Sequence, residues 1–243
     1  MNLNKRWNRE EVSSRFRDSN NALVKIASRF NSTKITDPEC CHYCDAYVQH
    51  FERIRTEPMH ILEIGVKEGD SLLIWKEYFP NSLIFGLEYN PIPLKGFSHE
   101  GIHVFIGDQS DVAILEKVSE EAGPFDIIID DASHVMEHQQ ISFNHLFQHS
   151  LKDNGIYVIE DLGCSYWPDW GGGLRKPTAT IEFLKNFIDG INYRFHRGGR
   201  TQYVGIPDAN EIQSTYFDEH ITGLSFYKGM CFIQKGYNPR DVL

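Results

Sequence analysis

From His60 onward, apolar runs of strand length alternate with stretches whose apolar residues recur every three or four positions. The runs predict strands over 60–64, 83–87, 103–106, 125–130 and 155–160. The stretches between and after them predict helices over 71–78, 111–121, 139–150 and 178–189. Strand and helix in strict alternation is the pattern of βαβ units, and so of a parallel sheet. Asp153-Asn154-Gly155 reads as a turn just before the fifth strand. The chain closes differently: apolar segments 224–227 and 230–233 flank Lys228-Gly229, which predicts an antiparallel hairpin on a tight turn. Two segments break the rhythm. Residues 162–177 are too rich in Gly and Pro for a regular element, and residues from about 196 to 213 form a polar loop.

Ahead of this region, Val12, Phe16, Leu23, Ile26 and Phe30 recur at helical spacing and predict a helix over 8–31. It would pack on the main domain or on a partner subunit, and it suggests self-association. Residues 31–38 are a linker by composition, and 43–55 are a second amphipathic stretch. The expected organisation is an N-terminal helical segment, 1–57, followed by one α/β domain, 58–243.

Composition narrows the function. The chain has 243 residues and a net charge of −10, with no Lys/Arg run. A nucleic-acid partner needs a basic surface, so none is expected. No apolar stretch reaches the length of a membrane span, and the start lacks the apolar core of a signal peptide, so the expected location is cytoplasmic. The five cysteines are an odd count, which argues for reduced thiols. Cys40, Cys41 and Cys44, with His42, carry enough ligands for zinc, but no second knuckle accompanies them. Free thiols are the simpler reading.

The chemistry concentrates at two acidic strand ends. Phe125-Asp-Ile-Ile-Ile-Asp-Asp131 runs into Ala-Ser-His134, and Gly155-Ile-Tyr-Val-Ile-Glu-Asp161 follows. As neighbouring strands, they would gather Asp131, Glu160 and Asp161 at one sheet edge. Neither segment contains Lys or Arg, so a hard divalent cation is the natural counter-charge, and His134 is the candidate base. The competing readings stay open here. Asp130 or Asp131 would cap the next helix, His134 would be an ordinary helix-start residue, and Glu160-Asp161 would merely end a strand.

A second set of residues points to a nucleotide. Leu62-Glu-Ile-Gly65-Val-Lys-Glu-Gly69 places two glycines after the first strand, where the backbone can approach a ligand beside a helix N-terminus. The spacing is not Gly-x-Gly-x-x-Gly, which weakens a diphosphate reading. Glu63 shares that crevice and suits an ammonium group. Glu88 ends the second strand, a place where an acid commonly accepts from ribose hydroxyls. Asp108-Gln109 ends the third and could read an adenine edge, although Asp108 or Ser110 could equally cap the next helix.

Taken together, Leu62-Glu-Ile-Gly65, Gly107-Asp-Gln-Ser-Asp111, Asp130-Asp-Ala-Ser-His134, Ile159-Glu-Asp161 and the closing Phe226-Tyr…Phe232-Ile233 resemble the class I S-adenosylmethionine-dependent methyltransferases. More narrowly, they resemble the metal-dependent O-methyltransferases of macrolide sugars, a family that includes cephalosporin hydroxylase-like proteins. The resemblance runs from about residue 33 to the end. It implies a Rossmann-like methyltransferase fold: a mostly parallel seven-stranded sheet with an antiparallel C-terminal hairpin. It implies that Glu63, Gly65, Glu88, Asp108 and Gln109 line the S-adenosylmethionine pocket, with Asp130 placed beside them. It implies Mg²⁺ or Mn²⁺ on Asp131, Glu160 and Asp161, with Asp131 and His134 in catalysis. Glu88 departs from the family pattern, where Asp is more usual.

Tyr166, Trp167 and Trp170, in the glycine-rich loop, suit the C–H faces of a sugar and are the candidate substrate residues. Local packing of a long loop would use the same residues. The expected activity is methylation of a hydroxyl on a sugar or glycosylated small molecule. The alternatives are a phenolic or other non-sugar hydroxyl, a non-catalytic S-adenosylmethionine-binding protein, and a nicotinamide oxidoreductase, which the glycine spacing and closing hairpin disfavour.

Overall fold

A computed structural model describes residues 8, 10, 11, 14, 19–30, 32, 34, 37, 40–192 and 214–238. The chain divides into two compact units, Met1–Asp108 and Gln109–Leu243.

The first unit holds helices α1 (Ala22–Ala27), α2 (Tyr43–Phe51) and α3 (Asp70–Tyr78) with strands β1 (His60–Ile64), β2 (Leu83–Glu88) and β3 (Ile102–Ile106). The strands run parallel in the order β3-β2-β1, with Glu63 opposite Gly86 and Glu88 opposite Ile106. The helix expected over 8–31 is not continuous. Residues 19–21 are non-helical, and Asn21 starts α1 by accepting from the Val24 amide, 3.0 Å away. An Asn at this position satisfies an otherwise orphaned helix-start donor and so favours a boundary there. Val12 and Phe16, and the loop expected at 196–213, lie outside the described residues. Aromatic packing joins the helices: Tyr47 meets Trp75 edge-on at 4.9 Å, and Phe51 lies 5.7 Å from Phe79.

The second unit holds α4 (Val112–Ala122), β4 (Phe125–Asp130), α5 (Met136–His149), β5 (Leu151–Ile159), α6 (Thr180–Ile191), α7 (Tyr216–His220), β6 (Ile221–Tyr227) and β7 (Met230–Lys235). Its strand order is β4-β5-β7-β6, with β4 and β5 parallel and β7 antiparallel to both its neighbours. The Lys228-Gly229 turn is present, with Tyr227 opposite Met230 and Gly229 at φ 78°. Parallel strands followed by an antiparallel pair are the fold class read from the sequence.

The expected turn at Asp153-Asn154-Gly155 is absorbed into β5. Phe125 pairs with Leu151 and Ile127 with Ile156, so the intervening residues bulge, with Asn154 at φ 66°. A Cβ at position 155 would come within 2.8 Å of the Lys152 carbonyl, which is why glycine fills it.

Phe143 centres this unit's core, stacking on Phe217 at 5.6 Å and meeting Phe187 and Tyr157 at 5.6 and 5.1 Å. Beside it Lys235 is buried, and its Nζ donates to the Phe147, Gln148 and Leu151 carbonyls at 2.8, 3.4 and 2.7 Å. The ammonium thereby supplies the donors that the C-terminal turn of α5 lacks. Lys235→Met should therefore destabilise the protein by about 1–3 kcal/mol, the cost of stranding buried carbonyls, measured by urea unfolding.

Candidate active site

The geometry of the site follows from one pairing. β4 and β5 are parallel neighbours with Asp130 opposite Ile159, so the residues that follow them emerge at the same edge. The Glu160 amide extends the ladder by donating to the Asp130 carbonyl at 2.9 Å. The chain then turns sharply on each strand. His134 adopts φ 57° just before α5, and Asp161 adopts φ 53° at the start of a short 3₁₀ turn, Leu162–Tyr166. Left-handed backbone at a non-glycine residue costs about 1–2 kcal/mol and is kept where a side chain must be aimed.

The two turns aim their side chains at each other. His134 Nε2 lies 3.3 Å from an Asp161 carboxylate oxygen. Asp131, His134 and Asp161 each offer one ligand atom within 4.8 Å of the others, the one such grouping among the described residues. The imidazole's Nδ1 is buried without a hydrogen-bond partner. Two carboxylates partly open to solvent suit a hard divalent ion, Mg²⁺ or Mn²⁺ over zinc, with the imidazole beside them. Glu160 is buried and lies outside this grouping.

The strand ends of the first unit are also occupied. Gly65, at φ 85°, donates its amide to the Leu87 carbonyl at 2.8 Å. Glu88 is buried and accepts from the Val66 and Lys67 amides at 2.9 and 2.8 Å, and from the Asn90 amide at 2.9 Å. It therefore shapes the glycine loop whatever else it binds. Glu63 is fully buried, accepts from the Ser71 hydroxyl at 2.5 Å and lies 3.5 Å from Lys34 Nζ. That ion pair spans 29 positions, and the sequence carries no local signal for it. Asp108 is partly buried after β3.

Gln109 and Asp130 are both interior. The Gln109 amide nitrogen lies 3.1 and 3.2 Å from the two Asp130 carboxylate oxygens. Ser142 and Tyr157 also donate to Asp130, at 2.7 and 3.4 Å. Burial raises the Asp130 pKa above the ordinary carboxylate range, opposed by the Ser142 and Gln109 hydrogen bonds.

The glycine-rich loop is better ordered than its composition suggests. Two short 3₁₀ turns form, at Leu162–Tyr166 and Pro168–Trp170. The Gly172 and Gly173 amides donate back to the Trp167 and Ser165 carbonyls at 3.0 and 2.8 Å. Tyr166 and Trp167 are exposed. Trp170 lies 5.4 Å from Trp167 and packs on Met136, Cys164 and Ala179. Burial, with the Asp161 charge adding, pushes the Cys164 thiol up to about 11, so it stays neutral. None of the five cysteines is in a disulfide, and the Cys40–Cys44 group forms no metal-ligand cluster among the described residues.

No family model matches the chain. Among curated proteins, an 8-demethyl-8-(2-methoxy-alpha-L-rhamnosyl)-tetracenomycin-C 3'-O-methyltransferase of Streptomyces olivaceus is 35% identical over 207 residues, 81% of this chain and 50% of the relative. Demethylmacrocin O-methyltransferase of Streptomyces fradiae is 36% identical over 203 residues, 79% of this chain and 48% of the relative. Among solved structures, a MycE methyltransferase from the mycinamycin biosynthetic pathway, in complex with Mg, SAH and mycinamycin VI, superposes with a TM-score of 0.76. It is 31% identical, and the match covers 91% of this chain and 56% of that one. The chain belongs to the class I S-adenosylmethionine-dependent methyltransferases, in the family of these sugar O-methyltransferases. It spans about half the length of the curated relatives it matches. Among the described residues, no helix of this methyltransferase-family chain is long and apolar enough to cross a membrane.

Proposed function

We propose that the protein is a metal-dependent O-methyltransferase that moves a methyl group from S-adenosylmethionine to a hydroxyl of a sugar-containing small molecule. The observation that carries this reading is the convergence of Asp131, His134 and Asp161 from two strand ends. The sugar O-methyltransferase relatives, one in a structure with Mg and SAH, support it.

Asp131 and Asp161 are the residues that would hold Mg²⁺ or Mn²⁺, and Glu160 is the third acid assigned to it from the sequence. When bound, such an ion lowers the pKa of a hydroxyl it contacts. S-adenosylmethionine supplies an electrophilic methyl group. His134 accepts the hydroxyl proton at Nε2, the nitrogen facing Asp161, since Nδ1 is buried. The acceptor oxygen would then bond to the methyl carbon in line as the carbon–sulfur bond breaks, with S-adenosylhomocysteine the leaving group and the reaction helped by positioning. In the first unit, Glu63, Gly65, Glu88 and Asp108 are assigned to the S-adenosylmethionine pocket. Tyr166, Trp167 and Trp170 are assigned to the acceptor, the exposed rings of Tyr166 and Trp167 offering apolar cover for a sugar.

The loop's shape is part of this assignment. A Cβ at Gly172 would lie 2.5 Å from both the Cys164 and Ser165 carbonyl oxygens, so the backbone would have to move. Gly172→Ala is expected to raise the KM for the acceptor by roughly ten- to a hundredfold, with the KM for S-adenosylmethionine nearly unchanged, in steady-state assays.

The reading is tested by incubating the protein with methyl-labelled S-adenosylmethionine and a panel of glycosides, with and without a chelator. Label should move to a glycoside hydroxyl and stop on chelation. Transfer that persists without divalent ions would remove the metal from the reaction.

A further inference from the structure

The loop that carries Asp131 and His134 is held from below by a buried amide. Gln109 is nearly inaccessible, and its side chain is used at both ends. Its oxygen accepts from the Ser133 backbone amide at 3.0 Å. Its nitrogen donates to the Asp130 carboxylate at 3.1 Å and lies 3.2 Å from the Ser142 hydroxyl. One planar group therefore spans the residue before Asp131 and the residue before His134. Ser133 continues the chain of contacts: its hydroxyl accepts from the Val135 amide at 3.3 Å and lies 3.1 Å from His138 Nδ1. The buried Gln109, Asp130 and Ser142 and the half-buried Ser133 are matched donor to acceptor, which is the condition under which such a network fixes one conformation.

We infer that Gln109 is a positioning residue for the proposed reaction. By tying Asp130 to Ser133 it sets the left-handed turn at His134 and so directs both Asp131 and His134 toward Asp161. The inference rests on the proposed metal-dependent reading for its consequence, but not for its geometry. A mere packing role would be served by any side chain of that size. The role described here needs an acceptor facing Ser133 and a donor facing Asp130.

That difference gives the test. Gln109→Glu keeps the acceptor and the shape but sets two carboxylates against each other. Gln109→Glu combined with Asp130→Asn restores a donor–acceptor pair with the partners exchanged. Gln109→Met keeps only the volume. The first readout is the His134 imidazole resonance in metal-free protein, identified by its loss in His134→Gln. The second is Mn²⁺ affinity by electron paramagnetic resonance, with S-adenosylhomocysteine affinity measured in parallel.

In Gln109→Glu and in Gln109→Met the His134 resonance should shift or broaden, and Mn²⁺ affinity should fall by about 10- to 100-fold, as expected for a group behind metal ligands. The exchanged pair should return the resonance and at least most of the Mn²⁺ affinity. S-adenosylhomocysteine affinity should change less than Mn²⁺ affinity throughout. An unshifted His134 resonance in both single variants would overturn the inference. So would loss of S-adenosylhomocysteine binding with Mn²⁺ binding kept, since Gln109 would then be reading the nucleoside. If the unaltered protein binds no Mn²⁺, the metal-dependent reading fails, and the resonance still decides the positioning role.

Discussion

Asp161→Asn is expected to reduce methyl transfer by about 10²–10³-fold, the usual cost of removing one preorganised group from a charge-stabilising site. The substitution is nearly isosteric, and asparagine tolerates the left-handed backbone that Asp161 adopts at φ 53°. The fold should therefore be retained, and near- and far-ultraviolet circular dichroism should be unchanged. What is lost is one of two carboxylates that face His134 across the strand ends. The loss should appear in kcat and in Mn²⁺ affinity together, while S-adenosylhomocysteine still binds. A variant that binds Mn²⁺ normally but has lost the nucleoside would mean that Asp161 serves the donor and not an ion.

His134→Asn should lower kcat by about 10²–10⁴-fold, the range for removing a positioned general base. Asparagine is again the informative choice, because alanine at φ 57° would add backbone strain to the chemical loss. If His134 only filled space at the start of α5, the variant would keep its rate and lose stability. The expected pattern is the reverse: unfolding temperature within a few degrees of the parent, Mn²⁺ affinity reduced less than in Asp161→Asn, and turnover nearly gone. Steady-state rates at saturating acceptor, set beside thermal unfolding curves, separate the two cases.

Much of this arrangement was legible in the sequence, for a physical reason. Buried parallel strands must be apolar throughout, so 60–64 and 125–130 stood out as runs with sharp edges, and they match β1 and β4. Charged residues at the ends of such runs are at the sheet edge by construction, which is why Asp131, Glu160 and Asp161 are the candidate ligands and His134 the candidate base. Two things could not be read. The turn chemistry of Asp153-Asn154-Gly155 does not reveal that β5 begins earlier and bulges around it. Pairings such as Gln109 with Asp130 and Ser133, or Lys34 with Glu63, join residues far apart in the chain, and no periodicity encodes them. The glycine-rich loop illustrates the same limit. Its composition argues against regular structure, yet it forms two short turns, and the Gly172 and Gly173 amides bond back to Trp167 and Ser165 within the loop.

The most direct test of the central claim is an anomalous difference map from a crystal soaked in Mn²⁺ with S-adenosylhomocysteine. A single peak about 2.1 Å from carboxylate oxygens of both Asp131 and Asp161 is the expected result. A map with no peak at those oxygens, in crystals where the nucleoside is bound, would contradict it.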